Sequence, residues 1–184
     1  MNLAERLEVV SHAASHFPFL GNTTSVDLLE LIRCELGHAD ALDRFVPRGN
    51  GHYARAIAPR TILHFLAGNT PAAGLQSVIR GLALGSHNKL KLPSDGFPEI
   101  EAFRNLLPSE LAALVEFETS MPQDWLASAD AVIAFGSDET IAEIRRQILP
   151  HQIFVAHGHR ISFGVVFGDP TFMSIEDAAC DASA

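Results

Sequence analysis

An asparagine, a lysine and a glycine-serine pair stand where short apolar runs of this chain give out, and each is a group that carbonyl or nucleotide chemistry uses. Asn69 follows Ile62, Leu63, Phe65 and Leu66 in a Gly-Asn-Thr-Pro sequence. An amide N–H at a strand end can donate to the oxyanion that develops on a bound carbonyl, although asparagine also fills ordinary turns through local backbone hydrogen bonds. Lys91 ends a second run and precedes Pro93, Ser94 and Asp95. Its ammonium suits ribose hydroxyls or a ribose phosphate, and Asp95 can accept from a ribose 2′-hydroxyl. A solvated lysine is the plainer alternative. Gly136 and Ser137 lie between an apolar run and a helical pattern, where backbone N–H groups and the helix dipole favour a phosphate; an ordinary N-cap fits as well. Asp138 and Glu139 add negative charge to the same turn.

Positioning such groups requires strands that deliver them to one edge. From Thr61 the chain alternates: strand 61–66, helix 71–84, strand 88–92, helix 97–106, strand 114–118, helix 122–128, strand 131–135 and helix 138–148. A strand over 152–156, another over 162–167 and a helix from Ser174 complete the pattern. Alternation of this kind predicts an α/β fold with a mostly parallel sheet covered on both faces. Asn69 then sits at a carboxyl strand end, the edge where open sheets of this class bind ligands. Leu3, Leu7, Val10 and Ala14 predict a first helix, and Thr24 or Ser25 caps a second that carries Leu28 and Ile32 and stops at Gly37. Residues 38–60, with Pro47, Gly49, Gly51 and Pro59, read as an irregular connection. The expected division is a helical segment, 1–56, and a nucleotide-binding domain, 57–184.

Thirteen Lys and Arg against 22 Asp and Glu give a net charge of −9, which disfavours nucleic acid as a partner. No window approaches the roughly 20 apolar residues of a membrane span, and the first turns lack a signal-peptide core, so a cytoplasmic protein is expected. Cys34 and Cys180 have neither disulfide nor zinc spacing. His12/His16 and His157/His159 lack the further ligands of a metal site and read as solvated or turn residues. Gly49 to Ala54 formally matches G-x-G-x-x-A, but no strand precedes it and no helix opens from it, so the dinucleotide reading is rejected.

Five segments in this order resemble the aldehyde dehydrogenase superfamily, in particular its LuxC-like acyl-CoA reductases. They run from Arg55 to Pro59, through His64 to Pro71 and Lys91 to Asp95, from Ala129 to Thr140, and from Gly158 to Ser162. The resemblance implies a Rossmann-like cofactor domain that lacks the usual glycine fingerprint. It implies Asn69 as an oxyanion donor, Lys91 with Ser94 or Asp95 at the adenosine ribose, and Gly136 with Ser137 at the pyrophosphate. The implied chemistry moves an acyl group from acyl-CoA to a cysteine thiolate and then reduces it to an aldehyde with NADP(H), preferred over NAD(H). No Asp or Glu occurs between Arg145 and Gly168, which suits an acyl-transferring branch that needs no water-activating base. Cys180 comes early for the family's nucleophile, so the chain is expected to stop before that residue and to be inactive alone, with a minimal enzyme that uses Cys180 as a further alternative. A non-catalytic nucleotide-binding or interaction module is the other reading, with association through an exposed apolar face, including a homo-oligomer, as its expected behaviour.

Overall fold

The computed structural model describes residues 1–68 and 71–158. Asn69, Cys180, the expected strand over 162–167 and the helix from Ser174 lie outside the described residues. Two helices open the chain. Helix α1 (Leu3–Ala14) starts at a reciprocal cap in which Asn2 Oδ1 accepts from the Glu5 amide at 2.9 Å and Glu5 Oε2 accepts from the Asn2 amide at 3.1 Å. Helix α2 (Ser25–Leu36) repeats the device with Thr24 and Asp27, and ends at Gly37 in the left-handed conformation. Thr24, not Ser25, is therefore the cap.

The connection expected to be irregular contains an antiparallel pair, β1 (Val46–Gly49) and β2 (His52–Ala54). Both strands are largely exposed, so no apolar alternation marked them. Gly49, Asn50 and Gly51 all have positive φ and turn the hairpin. The formal G-x-G-x-x-A thus begins at the end of a strand, contrary to expectation, but it continues into a hairpin turn and not a helix.

Five parallel strands form the main sheet: β3 (Thr61–Phe65), β4 (His87–Lys91), β5 (Val115–Glu118), β6 (Ala131–Phe135) and β7 (Ile153–His157). Their order is β5-β4-β3-β6-β7, so the chain builds outward from β3 in one direction and then returns to build in the other. Helices α3 (Pro71–Leu84), α4 (Pro98–Leu106) and α5 (Ser109–Ala112) share one apolar core with α1, through Leu7, Val10, Leu75, Leu82 and Phe103. Helices α6 (Trp125–Ser128) and α7 (Asp138–Arg145) cover the other face over Leu63, Val132 and Ala134. Both are shorter than their sequence patterns: Pro122 heads a turn before α6, and the residues after Arg145 continue only as isolated turns.

A polar group lies inside the first core. His64 on β3 is fully buried between Ser77 of α3 and Asn88 of β4. The Asn88 Nδ2 group donates to the Ser86 carbonyl at 2.7 Å, which leaves Oδ1 to accept from His64 Nε2 at 3.0 Å. His64 Nδ1 is then the acceptor for the Ser77 hydroxyl at 2.9 Å, and the ring is neutral. Burial pushes the imidazole down to about 4, against a smaller upward pull from Asn88.

This packing can be tested at two positions. A Cβ on Gly81 would fall 1.9 Å from Asn88 Oδ1. Gly81→Ala therefore costs roughly 2 kcal/mol in urea unfolding, where an unhindered helical site would gain up to about 1 kcal/mol. The folded pKa of His64 lies below its unfolded value of about 6.5, so its contribution is complete above that pH and fades as pH falls towards about 4. Unfolding free energy measured from pH 7 to pH 4 should decline by about 3 kcal/mol more in the native protein than in His64→Gln. Parallel declines would remove His64 as the source.

Candidate functional site

Because β4 and β6 flank β3 and are reached by helices on opposite faces, the chain diverges at the carboxyl ends of β3 and β6 and leaves a crevice there. A cleft of about 540 Å³ opens at this edge. Phe65, Lys91 and Phe135 reach it from the ends of β3, β4 and β6, and Met121 and Leu126 wall it from the segment after β5. Thr140, Glu143 and Gln147 line it on the α7 side. An apolar slot with a few polar groups at its margin is the usual build of a cofactor site.

Among the described residues lining this cleft, Lys91 is the one lysine or arginine. Its Nζ donates to the neighbouring Leu92 carbonyl at 2.7 Å, so it sits at the strand end and needs a side-chain rotation to serve a ligand. Ser94 and Asp95 are exposed in the turn after β4, which Gly96 closes by donating its amide to the Pro93 carbonyl at 3.0 Å with φ of +79°. They stand outside the cleft lining. The turn after β3 approaches this one: a Cβ on Gly68 would lie 3.5 Å from Pro93 Cβ. The segment that leads into Asn69 is thus beside the segment after Lys91.

Gly136 and Ser137 connect β6 to α7. The Gly136 amide donates to the His157 carbonyl at 3.3 Å, and Ser137 Oγ accepts from the Thr140 amide at 3.3 Å as the N-cap of α7. The capping role therefore uses the hydroxyl that a phosphate would share. Gly158 at the end of β7 lies against the first turn of α7, where a Cβ would meet Asp138 Oδ1 at 2.5 Å.

Two features escaped the sequence patterns. His157 is the last residue of β7 and stacks on Phe135 with ring centroids 4.6 Å apart and planes 14° from parallel. The alternation Ile153, Val155, His157 was the available signal that it continues a strand face instead of starting a turn. His64 carried no signal beyond sitting within an apolar run. His12 of α1 and His16 in the turn after it are exposed and meet edge to face at 5.4 Å. Among the described residues no group of three or more His, Cys, Asp and Glu is placed to hold a metal, and no helix is long and apolar enough to cross a membrane. Cys34 is exposed on α2 beside Glu30 Oε1 at 3.4 Å, and it does not line the cleft.

Comparison with known proteins agrees with this architecture. A family model described as acyl-CoA reductase (LuxC) matches residues 22–184. The long-chain acyl-protein thioester reductases of Aliivibrio fischeri and Vibrio harveyi are each 26% identical over 151 residues, covering 76% of this chain and 31% of theirs. The chain thus spans less than a third of the length of these curated relatives. An NAD-dependent benzaldehyde dehydrogenase from Corynebacterium glutamicum superposes with a TM-score of 0.53 at 14% identity, over 86% of this chain and 42% of that one, which shows a shared fold. A sheet order with its crevice after β3, and a family match over most of the residues, lead to one conclusion: the chain belongs to the LuxC family of acyl-CoA reductases.

Proposed function

We propose that this chain is the cofactor-binding part of an NAD(P)H-dependent reductase that converts a long-chain acyl thioester, carried on coenzyme A or on a protein, to an aldehyde. The observation that carries this reading is the cleft at the crevice between strands, with Lys91 at its margin. Residues 57–184 are assigned to the nucleotide-binding unit, and residues 1–56 contribute α1, α2 and the hairpin β1–β2, with α1 sharing the core of α3.

The donor set fits a dinucleotide. Phe65, Met121 and Leu126 offer apolar surface for a base, and Lys91 is assigned to the adjoining ribose, which it would serve after rotating away from the Leu92 carbonyl. Its point charge favours a 2′-phosphate and hence NADPH, with Ser94 and Asp95 at the same turn. Gly136 is assigned to the pyrophosphate through its backbone; its missing Cβ, which would press on Thr140 Cγ2 at 3.3 Å, lets the turn pack on α7. Ser137 orients the first turn of α7 towards it. A bound nicotinamide supplies the hydride. Asn69 is assigned the task of donating its amide N–H to the oxyanion on thioester attack and again on reduction. The thiolate that attacks the acyl group is assigned to the part of such an enzyme that these residues do not include.

One observation favours the interaction-module reading. The hairpin β1–β2 is a separate two-stranded sheet, and Phe45, Tyr53 and Ile57 around it are 67%, 66% and 88% exposed. An isolated hairpin is marginal in water unless it packs against something further, so association with a second copy is the expected consequence. Light scattering on dilute protein tests this: a monomer at micromolar concentration argues against it.

Titration with NADPH and NADH, monitored by nicotinamide fluorescence, tests the main reading. Saturable binding is expected, tighter for NADPH, and Lys91→Ala should weaken NADPH about tenfold, as loss of a hydrogen bond to a charged group predicts. Absence of saturable binding by either nucleotide in a folded sample would remove the cofactor assignment. Unchanged affinity in the variant would remove only the role of Lys91.

A further inference from the structure

We infer that His64 is a positioning residue: it sets the placement of the Lys91 strand end against the turn after β3, and so governs nucleotide affinity from inside the core. The functional part of this inference rests on the proposed cofactor role of the cleft. Its structural part rests on three elements that meet at one ring. His64 belongs to β3, Ser77 to α3 and Asn88 to β4, and both ring nitrogens are engaged, at 2.9 and 3.0 Å. Each element leads to the carboxyl edge or departs from it. Beyond His64 the Leu66 amide donates to the Lys91 carbonyl at 3.0 Å, and beyond Asn88 the strand ends at Lys91 itself. Helix α3 begins at Pro71, immediately after the turn.

Apolar contacts alone would hold α3 against the sheet, and Leu75, Val78 and Leu82 supply them. Such contacts are non-directional, so they tolerate small rotations and slides of the helix. Hydrogen bonds of fixed length to a rigid ring do not. Burying three polar side chains costs desolvation that an all-apolar trio would avoid, which makes specification of geometry the physical return for keeping them. Gly81 reinforces the point: its missing side chain is the space that the Asn88 amide occupies. His64 is itself absent from the cleft lining, so any effect on a ligand is transmitted through Lys91 and the strand ends.

The decisive variant replaces the whole network with apolar groups of similar size, His64→Leu with Ser77→Ala and Asn88→Leu, leaving no buried polar side chain of the trio unpaired. His64→Gln, which can donate from Nε2 and accept on Oε1, is the rescue arm. Amide hydrogen exchange in the full chain reports the strand ends without any ligand. The Leu66 and Leu92 amides should exchange at least about tenfold faster in the triple variant, while Val10 in α1 is unchanged and the urea midpoint stays near that of the native protein. NADPH affinity should fall about tenfold in the triple variant and recover to within about threefold in His64→Gln. Unchanged exchange at Leu66 and Leu92 overturns the inference whether or not the native chain binds nucleotide. Faster exchange with unchanged NADPH affinity overturns its functional half. Failure of the native chain to bind NADPH or NADH is a separate result that counts against the cofactor reading; the exchange comparison then decides the role of His64.

Discussion

The parallel ladders on either side of β3 are the interaction on which the rest of this molecule depends. β3 has neighbours on both edges and helices over both faces, and its three middle residues are buried. A strand in that position has no solvent to satisfy its backbone, so its N–H and C=O groups must be paired with β4 and β6. The crevice is a by-product of this arrangement. It opens because the connections to the two neighbours run over opposite faces, leaving the carboxyl ends of β3 and β6 without a crossing segment between them.

Within that frame the core is not uniformly apolar. Leucines dominate the layer between α1, α3 and the sheet, yet the ring at the centre of β3 is an imidazole kept neutral by burial. The cost of placing it there is offset by complete pairing: both nitrogens are bonded, the Asn88 amide is bonded, and Gly81 yields the room. Removing His64 alone leaves the Ser77 hydroxyl and Asn88 Oδ1 buried without the partner each has in the ring, which is more damaging than replacing all three. The network is therefore a feature that can be lost whole but not in part.

Electrostatics distinguishes the two halves of the candidate site. The chain is acidic overall, and Glu143 lines the cleft while Asp138 and Glu139 occupy the first turn of α7. Asp138 and Glu139 stabilise the helix through its dipole, but they compete with a phosphate for the same field. Lys91 is the compensating charge, placed at the margin of the apolar slot instead of in open solvent. Family membership, established by the match over residues 22–184, gives that placement a context, and the fold is one shared with an aldehyde dehydrogenase.

Local patterns in the sequence determined the α/β class, most of the strands and helices, and the cap at Ser137, because each is a property of a few consecutive residues, whereas the choice of Thr24 over Ser25 as the cap of α2 came from the structure. Runs such as Ala131 to Phe135 are buried along most of their length and could be little else. Hairpin β1–β2 was not legible, since its exposed strands carry no alternation. The order of the strands, and with it the meeting of Lys91, Phe135 and Thr140 in one cleft, is set by contacts between segments far apart in the chain, which no local pattern encodes. The same holds for His64, whose tautomer, charge and partners were decided by Ser77 on one element and Asn88 on another. A side chain's type is written in the sequence; the dielectric around it and the atoms it must satisfy exist only once the tertiary structure has closed over it.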